Sequence, residues 1–597
     1  MARTPVQGFV AHALAASSLA LVAGTAHAQS LPYGDPGDSE AISGGDSAPS
    51  GNDMGRGGSG RSDAGRSGGK QRGGRSIGSA GGTGRLKIQP YIELSQSVLA
   101  RLEPVHDVLT YSSVAVGVDA SLAGRRTEGA VSVRYERRFA ESGNIVSNDT
   151  ISGLARVRHD LIPRELTIEA GGLATRTRFD PSGASRLGLV QTGDRVAQVY
   201  SLYAGPAVST HVGDLAVKGS YLVGYTKVNT PRLTATGLPP GQPQPQGDIF
   251  NHSIAQSAQV SAGFAPGTVL PVGLTASGAY NQEDIQNLDQ RVRELRAGLQ
   301  ATLPLNSELA LIGDIGWQHV QVSSRDAVRT ADGTPVIGSD GRYVTDTSKP
   351  RQIAYDVTGL TWDVGVMWRP SRRTSLSAFV GHRYDSMTYY GSLSYTPNAR
   401  NALKVDVFDA VSGFGSTIGN AVRGLPTDFT TNRNPFSGDI TGCAAGAQSG
   451  GCINGALGSI ASAAFRTRGV SASYNHTAGK LRMGLGAGYI RRKFIGAQGT
   501  VLEAANGRTD QTFYVNGQIS GPIDRTTAFT VAVYDSWYKS GVSSLADVNS
   551  IGATAGVSHQ FTRRLIGNAA VGIDSLNRKV FADDLIATGQ VGLRYNF

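Results

Sequence analysis

Hydrophobic and polar residues alternate with a period of two from about residue 86 to the end of the chain. In residues 481–489, for example, Leu481, Met483, Leu485, Ala487 and Tyr489 alternate with Arg482 and three glycines. This period puts apolar side chains on one face of an extended strand and polar side chains on the other. The recurrence of the pattern predicts an all-β protein with about twenty-two strands, within a range of eighteen to twenty-six.

The connections between the predicted strands alternate in length. Those after even-numbered strands are tight, as at Gly124-Arg125 and Ala478-Gly479, whereas those after odd-numbered strands include 180–194, 229–250, 324–351, 410–464, 494–510 and 539–549. Bacterial outer-membrane barrels have short periplasmic turns and long extracellular loops, and a soluble sandwich has no reason to alternate in this way. Residues 86–597 are therefore predicted to form a single closed antiparallel transmembrane β-barrel, with 410–464 as a long loop insertion.

The last strand ends in Val591, Leu593, Tyr595 and Phe597 on one parity, with polar or small residues on the other. An unpaired amphipathic strand would invite aggregation, whereas a closed barrel pairs its last strand with its first. The alternative is an ordinary terminal strand of a soluble sandwich. The aromatic terminus resembles the C-terminal assembly signal of Gram-negative outer-membrane barrels. That resemblance implies recognition by the barrel-assembly machinery and localisation in the outer membrane.

The first 85 residues divide into a signal peptide and a low-complexity segment. Arg3 precedes an apolar run at 13–24 that is too short to span a membrane, and Ala26-His27-Ala28 forms a cleavage site, so residues 1–28 are predicted to be removed. Residues 29–85 are rich in Gly and Ser and poor in apolar groups, which predicts disorder. This segment is either a periplasmic tether to an anionic partner such as peptidoglycan, or a solvated tail.

The chain of 597 residues carries a net charge of +10. In an exported barrel this charge favours anionic solutes, or contact with outer-membrane lipid and lipopolysaccharide, and it argues against nucleic acid as a partner. The lumenal charges are expected either to form a selectivity ladder or to pair across strands, and a two-residue turn at Pro163-Arg164 would put Arg158 opposite Glu169. Strand parity directs toward the lumen the charged residues Asp119, Arg134, Glu136, Arg138, Arg156, Arg158, Asp160, Glu169, Glu294 and Arg296.

The long loop 410–464 contains both cysteines of the chain, Cys443 and Cys452. In an oxidising compartment a near pair predicts a disulfide, because metal binding would need more ligands and redox catalysis a Cys-x-x-Cys motif. Apolar residues at helical spacing lie on both sides of the pair, at 411–422 and 457–465. The loop is predicted to form two short helices stapled by the disulfide, which either fold into the lumen or cap its mouth.

The sequence contains no recognisable catalytic motif, metal-ligand cluster or cofactor-binding loop, so neither an enzymatic activity nor a cofactor is predicted. Barrels of 22 strands are usually plugged. Residues 29–85 are too poor in apolar groups to fold into an N-terminal plug, which makes the TonB-dependent transporters a poor match. The segment predicted to occlude the lumen is 410–464.

Two stretches, 398–415 and 464–469, resemble uncharacterised outer-membrane barrels that accompany exopolysaccharide or protein-sorting loci. The barrel class and this resemblance imply two alternative functions. The first is a pore, transporter or export component for polar solutes or polysaccharide. The second is a non-conducting envelope scaffold, or a secretion-associated barrel, that binds partners through its loops or its N-terminal tether.

Overall fold

The computed structural model describes residues 85–104, 106–142, 149–179, 185–186, 196–230, 249–429, 433–440, 443–445, 450–453, 455–541, 547–578 and 583–597. The predicted signal peptide 1–28, with Ala26 and Ala28, and almost all of the segment 29–85 lie outside the described residues.

The described residues form a ring of twenty-two long antiparallel strands, as the alternation predicted. A two-residue strand, Ser185–Arg186, pairs with the end of β5. The strands are β1 Arg85–Glu103, β2 Asp107–Ala123, β3 Thr127–Ser142, β4 Asp149–Ile162, β5 Leu166–Phe179, β6 Val196–Val212, β7 Leu215–Asn229, β8 His252–Phe264, β9 Gly273–Ile285, β10 Gln290–Pro304, β11 Leu309–Ser324, β12 Gln352–Ser371, β13 Thr374–Arg383, β14 Ser386–Asn398, β15 Asn401–Ser412, β16 Phe465–Ala478, β17 Leu481–Phe494, β18 Thr509–Pro522, β19 Thr527–Lys539, β20 Val548–Gln560, β21 Leu565–Arg578 and β22 Asp584–Asn596.

The ring closes through β1, which pairs with β2 on one side and with β22 on the other. Leu94 lies opposite Leu593, and Tyr91 lies opposite Asn596. Each remaining strand pairs with its two neighbours in the sequence. Closure leaves no sheet edge unpaired, which is the condition for a β-sheet to span a bilayer.

The outer surface of the ring is apolar. Outward-facing leucine, valine and isoleucine side chains are exposed on nearly every strand. Exposed aromatic side chains lie near both ends of the strands, as at Trp537 toward a long loop and Tyr595 toward a short turn, and also midway, as at Trp317 and Trp362. A ring of strands with such an apolar outer surface presents that surface to lipid, as in an outer-membrane barrel, and the protein belongs to that membrane.

The connections assign the sidedness. Those after even-numbered strands contain at most eight residues, at 265–272, while those after odd-numbered strands include 325–351, 413–464 and 495–508. The long connections are therefore extracellular. Short helical turns occur in two extracellular connections, at Asn287–Asp289 in a four-residue connection and at Val501–Ala505 in a long one. Within the described residues no helix is both long enough and apolar enough to cross a membrane.

The face assignment of β22 predicts opposite results for two arginine substitutions. Leu593 points outward and is 49% exposed, together with Val591, Tyr595 and Phe597, whereas Gln590 is on the inward parity. An arginine facing lipid costs about 2–4 kcal/mol at the midplane and less near the interface. Leu593→Arg should therefore reduce the yield of folded barrel in outer-membrane fractions, and Gln590→Arg should not. Equal yields of the two variants would contradict the assignment.

Candidate functional site

The described residues of 413–464, here called the plug, lie in the lumen of the barrel; positions 430–432, 441–442, 446–449 and 454 lie outside the described residues. The plug is three residues shorter than the predicted loop, because Ala410, Val411 and Ser412 still pair with β16. It enters near the extracellular end of β9, at Glu283, and descends to Glu128 near the periplasmic end of β3. It then returns to Arg176 near the extracellular end of β5. The chain of the plug thus runs down and back up the lumen.

The descending part of the plug is one helix, α1, Phe414–Arg423. Phe414, Ile418 and Val422 recur at every fourth position and are fully buried against the inner wall of the barrel. The rings of Phe414 and Phe250 lie 4.9 Å apart between centroids. This apolar face fixes α1 to the wall formed by β5 to β8.

A wall residue caps the N-terminus of α1. The carboxylate of Glu283 on β9 accepts hydrogen bonds from the backbone N–H groups of Gly413, at 2.9 Å, and Gly415, at 3.0 Å. The first N–H groups of a helix have no partner within the helix and carry the positive end of its dipole, so a carboxylate there is stabilising. Glu283 therefore determines where the plug enters the lumen.

Below α1 the plug contacts the wall through polar groups. Arg423 lies 3.8 Å from Glu169, and the Thr427 hydroxyl donates to Glu128 at 3.1 Å. Both acidic residues lie near the periplasmic ends of their strands. The lower half of the plug is thus bound by hydrogen bonds and charges in addition to apolar contacts, because Leu425 and Phe429 are buried in the same cluster as α1.

The returning part of the plug joins a buried charge network on β1, β3 and β5. Asp439 pairs with Arg176 at 3.0 Å, and both side chains are at most 3% exposed. The Arg176 Nη2 also donates to the Ser437 carbonyl at 2.7 Å. The network contains three cations and three anions: Arg134, Arg138, Arg176, Glu93, Glu136 and Asp439.

A tight turn presents Asp439 to that network. The Asn434 side chain accepts hydrogen bonds from the N–H groups of Phe436 and Ser437, and Gly438 has a φ of +69°. A side chain at position 438 would be strained, since L-residues rarely adopt this conformation, and its Cβ would lie 2.6 Å from Arg134 Nε. Asn434 and Gly438 therefore allow the tight turn that brings Asp439 to the charge network.

The plug also reaches the opposite wall. Phe436 is buried in a cluster with Leu99, Leu109, Ala570 and Ile586, which belong to the strands on either side of the β1–β22 closure. Gly455 lies close to Ile490 of β17 and Tyr514 of β18. Contacts on facing walls mean that the plug crosses the lumen rather than lining one side of it.

Two extracellular loops cover the top of the plug. Arg342 in loop 325–351 donates to the carbonyl groups of Ile249 and Phe250, and Asp326 accepts from the Val501 N–H at 2.9 Å. The plug residue Ala463 is buried in a cluster with Leu288, Ala327 and Leu502. The lumen is therefore covered on its extracellular side.

The carboxyl group of Asp289 holds the base of loop 325–351. Partial burial alone would raise its pKa, but hydrogen bonds from Arg325, at 2.8 Å, and from Arg351 outweigh burial and lower the pKa below its usual value. A lowered pKa in the folded state stabilises the loop above the unfolded pKa, and the stabilisation is lost as the pH falls through the folded value. Asp289 is thus ionised and paired with both arginines at neutral pH.

The charges assigned to the lumen by parity are mostly paired. Arg134 and Arg138 bind Glu136, Asp119 binds Arg594 at 2.9 Å, and Glu294 accepts from the Tyr384 hydroxyl. Arg158 does lie directly opposite Glu169, yet Glu169 binds Arg156 at 3.3 Å, and Arg158 lies 3.6 Å from Asp160. Arg296 lies directly opposite Gln318 on the inward face of β11. This pairing favours structural ion pairs over a selectivity ladder.

The cysteines lie in a short hairpin of the plug. Cys443–Ala445 pairs with Gly450–Cys452, and the backbones of Cys443 and Cys452 are directly opposite each other. Opposed residues of an antiparallel pair have Cα separations within the range that a disulfide spans, and the disulfide itself stays a prediction. The expectation of two helices is wrong. Among the described residues of the loop only α1 is a helix, and 457–465, where the second was expected, contains Gly458 and forms no helix.

Loss of the predicted disulfide should affect the plug but not the barrel. A loop of about ten residues contributes roughly 2–3 kcal/mol by closure entropy. Barrel stability comes from the closed ladder of strand hydrogen bonds in lipid. Cys443→Ala should therefore leave heat-modifiable mobility on gels unchanged and accelerate hydrogen exchange in residues 433–453. Two free, alkylatable thiols in protein extracted from membranes would reject the disulfide.

Sequence reasoning missed Glu283, Arg176 and Asp439, which hold the plug. The parity of β5 and β9 could have placed the first two on the inward face, but nothing in the sequence pairs them with residues more than a hundred positions away. In the described part of the chain no group of three or more His, Cys, Asp or Glu side chains is placed to hold a metal ion.

The geometry defines an outer-membrane β-barrel closed by a segment of its own chain. No protein-family model and no curated protein matches the sequence. The fold is similar to that of the FrpB iron transporter from Neisseria meningitidis, with 11% identity, a TM-score of 0.39 and coverage of 85% of this chain and 82% of that one. The alcaligin outer-membrane receptor FauA from Bordetella pertussis has 11% identity, a TM-score of 0.35 and coverage of 85% and 76%. OmpT of Vibrio cholerae has 8% identity, a TM-score of 0.25 and coverage of 86% and 99%. Likenesses this distant carry no information on a solute.

Proposed function

We propose that the protein is an outer-membrane transport barrel for polar solutes or polysaccharide, and that the plug closes its lumen at rest. The observation that supports this function is the path of the plug through the lumen, from Glu283 at the extracellular side to Glu128 near the periplasmic turns. A barrel of this size without a plug would leave a wide aqueous channel across the membrane. A segment that fills such a channel is expected where passage has to be controlled.

The two parts of the plug differ in how many polar contacts they make with the wall, which suggests how the plug opens. The helix α1 is held by a fully buried apolar face, and its detachment would expose Phe414, Ile418 and Val422 to water. Residues 427–440 hold the ion pair and several hydrogen bonds of the plug, which water can replace, alongside three buried apolar side chains, Phe429, Phe436 and Ile440. We propose 427–440 as the movable part of the plug and α1 as the fixed part.

Several partners follow from this function as proposals. The apolar exterior would contact outer-membrane lipid and lipopolysaccharide, and Tyr595 and Phe597 would present the terminal strand to the barrel-assembly machinery. The segment 29–85 would reach peptidoglycan on the periplasmic side. Neither a cofactor nor an enzymatic activity is part of the proposal.

The second candidate function is a non-conducting scaffold or secretion-associated barrel. The observation that favours it is the double closure of the lumen, by the plug and by the loops 325–351 and 495–508 above it. In that case the extracellular loops or the N-terminal tether would bind partners, and the plug would never move.

Solute uptake by liposomes separates the two candidates. The full-length protein is reconstituted, and the uptake of labelled neutral and charged solutes of increasing size is compared with that of protein-free liposomes. The transport function predicts slow but measurable uptake through the intact protein, because the polar contacts of 427–440 open transiently. Uptake equal to that of empty liposomes, in the intact protein and in a variant with its plug shortened, would establish the scaffold instead.

A further inference from the structure

A cavity lies between α1 and the inner wall of the barrel. Asn281 and Glu294 line it from the wall, and Gly415, Gly419 and Asn420 line it from α1. The two wall residues lie directly opposite each other on β9 and β10, so their side chains enter the cavity side by side. Gly419 of α1 leaves open the space beside it, because a Cβ at this position would meet no atom within 4 Å.

The wall side chains bring unused hydrogen-bonding capacity into this cavity. Asn281 is 8% exposed and Glu294 is 1% exposed. The Asn281 Nδ2 and the Glu294 Oε2 have no hydrogen-bond partner in the protein, although Glu294 Oε1 accepts from the Tyr384 hydroxyl. Buried polar atoms are almost always satisfied, so an unpaired donor beside an unpaired acceptor indicates a ligand that supplies both.

Glu283, the neighbouring acidic residue in the same cavity, differs from Glu294 in its hydrogen bonding. Glu283 accepts from Gly413, Gly415 and Ser253, so both of its oxygens are used in holding α1. The carboxylate of Glu294 takes no part in that anchoring. The unpaired atoms therefore belong to a separate function of the wall, not to an incomplete helix cap.

Unpaired donors and unpaired acceptors also occur in equal number along the inner wall from β10 to β13. Arg296 Nη1 and Arg383 Nε are unpaired donors, while Gln318 Oε1 and Asp363 Oδ1 are unpaired acceptors. Together with the cavity pair, the wall offers three donors and three acceptors, on two acidic, two basic and two amide side chains. The formal charges of these six side chains cancel, so this set favours neither a polyanion nor a polycation.

We infer that this wall binds a neutral, hydroxyl-rich ligand, a polyol or saccharide, in the cavity beside α1. A hydroxyl group both donates and accepts, so one hydroxyl can accept from Asn281 Nδ2 and donate to Glu294 Oε2. A carboxylate or phosphate would satisfy the amide and repel Glu294, and an ammonium group would do the opposite. The placement of this site on a transport route rests on the proposed function. The binding of a neutral ligand rests only on the unpaired atoms of the wall.

Calorimetry of the full-length protein tests this inference, in a detergent without a sugar headgroup. The probes are maltohexaose, hexagalacturonate and spermine. We expect saturable binding of maltohexaose, and weaker binding of both charged probes. Absence of saturable maltohexaose binding would mean that the unpaired atoms hold water only, and would overturn the inference, as would preference for either charged probe.

Two variants of Asn281 sharpen the test. Asn281→Leu removes the donor and should weaken maltohexaose binding about tenfold, equivalent to roughly 1.4 kcal/mol. Asn281→Asp replaces the donor by an acceptor, and should weaken maltohexaose and strengthen spermine binding. The matched control is Asn516→Leu, an inward position on β18 that does not line the cavity, which should bind within about twofold of the parent.

The outcomes of these measurements separate the inference from the proposed function. All three variants can be checked for folding by heat-modifiable mobility on gels. In folded protein, two results would overturn the inference. One is that Asn516→Leu weakens maltohexaose binding as much as Asn281→Leu does, and the other is that Asn281→Asp does not bind spermine more tightly than the parent. Liposome uptake without maltohexaose binding would reject the saccharide site and retain the transport barrel. Maltohexaose binding without uptake would retain the site and reject transport.

Discussion

Excision of residues 427–449 should convert the closed barrel into an open channel. Gly451 lies against Leu425, so a linker of a few Gly and Ser residues can join the remaining ends without moving α1. The excision removes Phe436 and Asp439, which bridge the lumen to the closure strands and to β5. In planar bilayers the single-channel conductance should rise at least about tenfold over the parent, because the excision opens water-filled space beside α1 in a lumen of this size, even with the extracellular loops still in place.

A deletion of similar kind outside the lumen provides the control for that result. Shortening loop 325–351 at its tip, across 331–341, removes exposed residues that make no contact with the wall of the lumen among the described residues. Its conductance should match that of the parent. A plug excision that folds, as judged by heat-modifiable mobility, and still does not conduct would contradict the assignment of 427–449 as the part that closes the lumen.

Asp439→Asn should release the returning part of the plug while leaving the barrel folded. The substitution leaves Arg176 buried without its ion-pair partner, and breaking a buried pair from one side costs about 3–5 kcal/mol. A cost of about 3 kcal/mol corresponds to a change of roughly a hundredfold in the equilibrium between docked and released plug. Hydrogen exchange in residues 433–440 should accelerate, and channel openings should become frequent in bilayer recordings.

Two further variants show whether this effect comes from the buried charge. Removing both partners, in Arg176→Met with Asp439→Leu, should restore much of the docking, because an apolar pair of similar volume often replaces a buried ion pair without loss. Asp149→Asn breaks the Arg137–Asp149 pair, whose side chains are nearly half exposed, and should change little. Openings as frequent in Asp149→Asn as in Asp439→Asn would show that the buried network does not hold the plug.

Most of the barrel could be predicted from the sequence because each strand carries its own signal. In a strand that faces lipid on one side and a polar lumen on the other, the period of two survives along its whole length, as in 481–489. Turn lengths then gave the sidedness. The observed strand ends differ from the predicted ones where the alternation of polar and apolar residues weakens. Ala410 to Ser412, for example, continue β15, although their composition indicated the loop.

The position of the plug could not be predicted in the same way. Its contacts join residues far apart in the chain, such as Arg176 with Asp439 and Glu128 with Thr427, and no local pattern encodes them. The spacing of Phe414, Ile418 and Val422 did predict an amphipathic helix, because that signal is local. Whether its apolar face meets the inner wall or the underside of a cap depends on the wall, which only the closed ring supplies.

A cross-linking measurement tests the central claim, that the plug descends through the lumen, most directly. Cysteines replace Thr427 and Glu128, whose side chains share a hydrogen bond of 3.1 Å, in a background with Cys443 and Cys452 changed to serine. A short bismaleimide applied to native outer membranes should join positions 427 and 128, detected as a linked peptide by mass spectrometry. The control pair, Thr427→Cys with Asn516→Cys on the inward face of β18, should not be joined. The result that would contradict the account is that neither pair is linked while the thiols at 427 and 128 both react with a large maleimide added from the extracellular side. That result would place residue 427 outside the lumen.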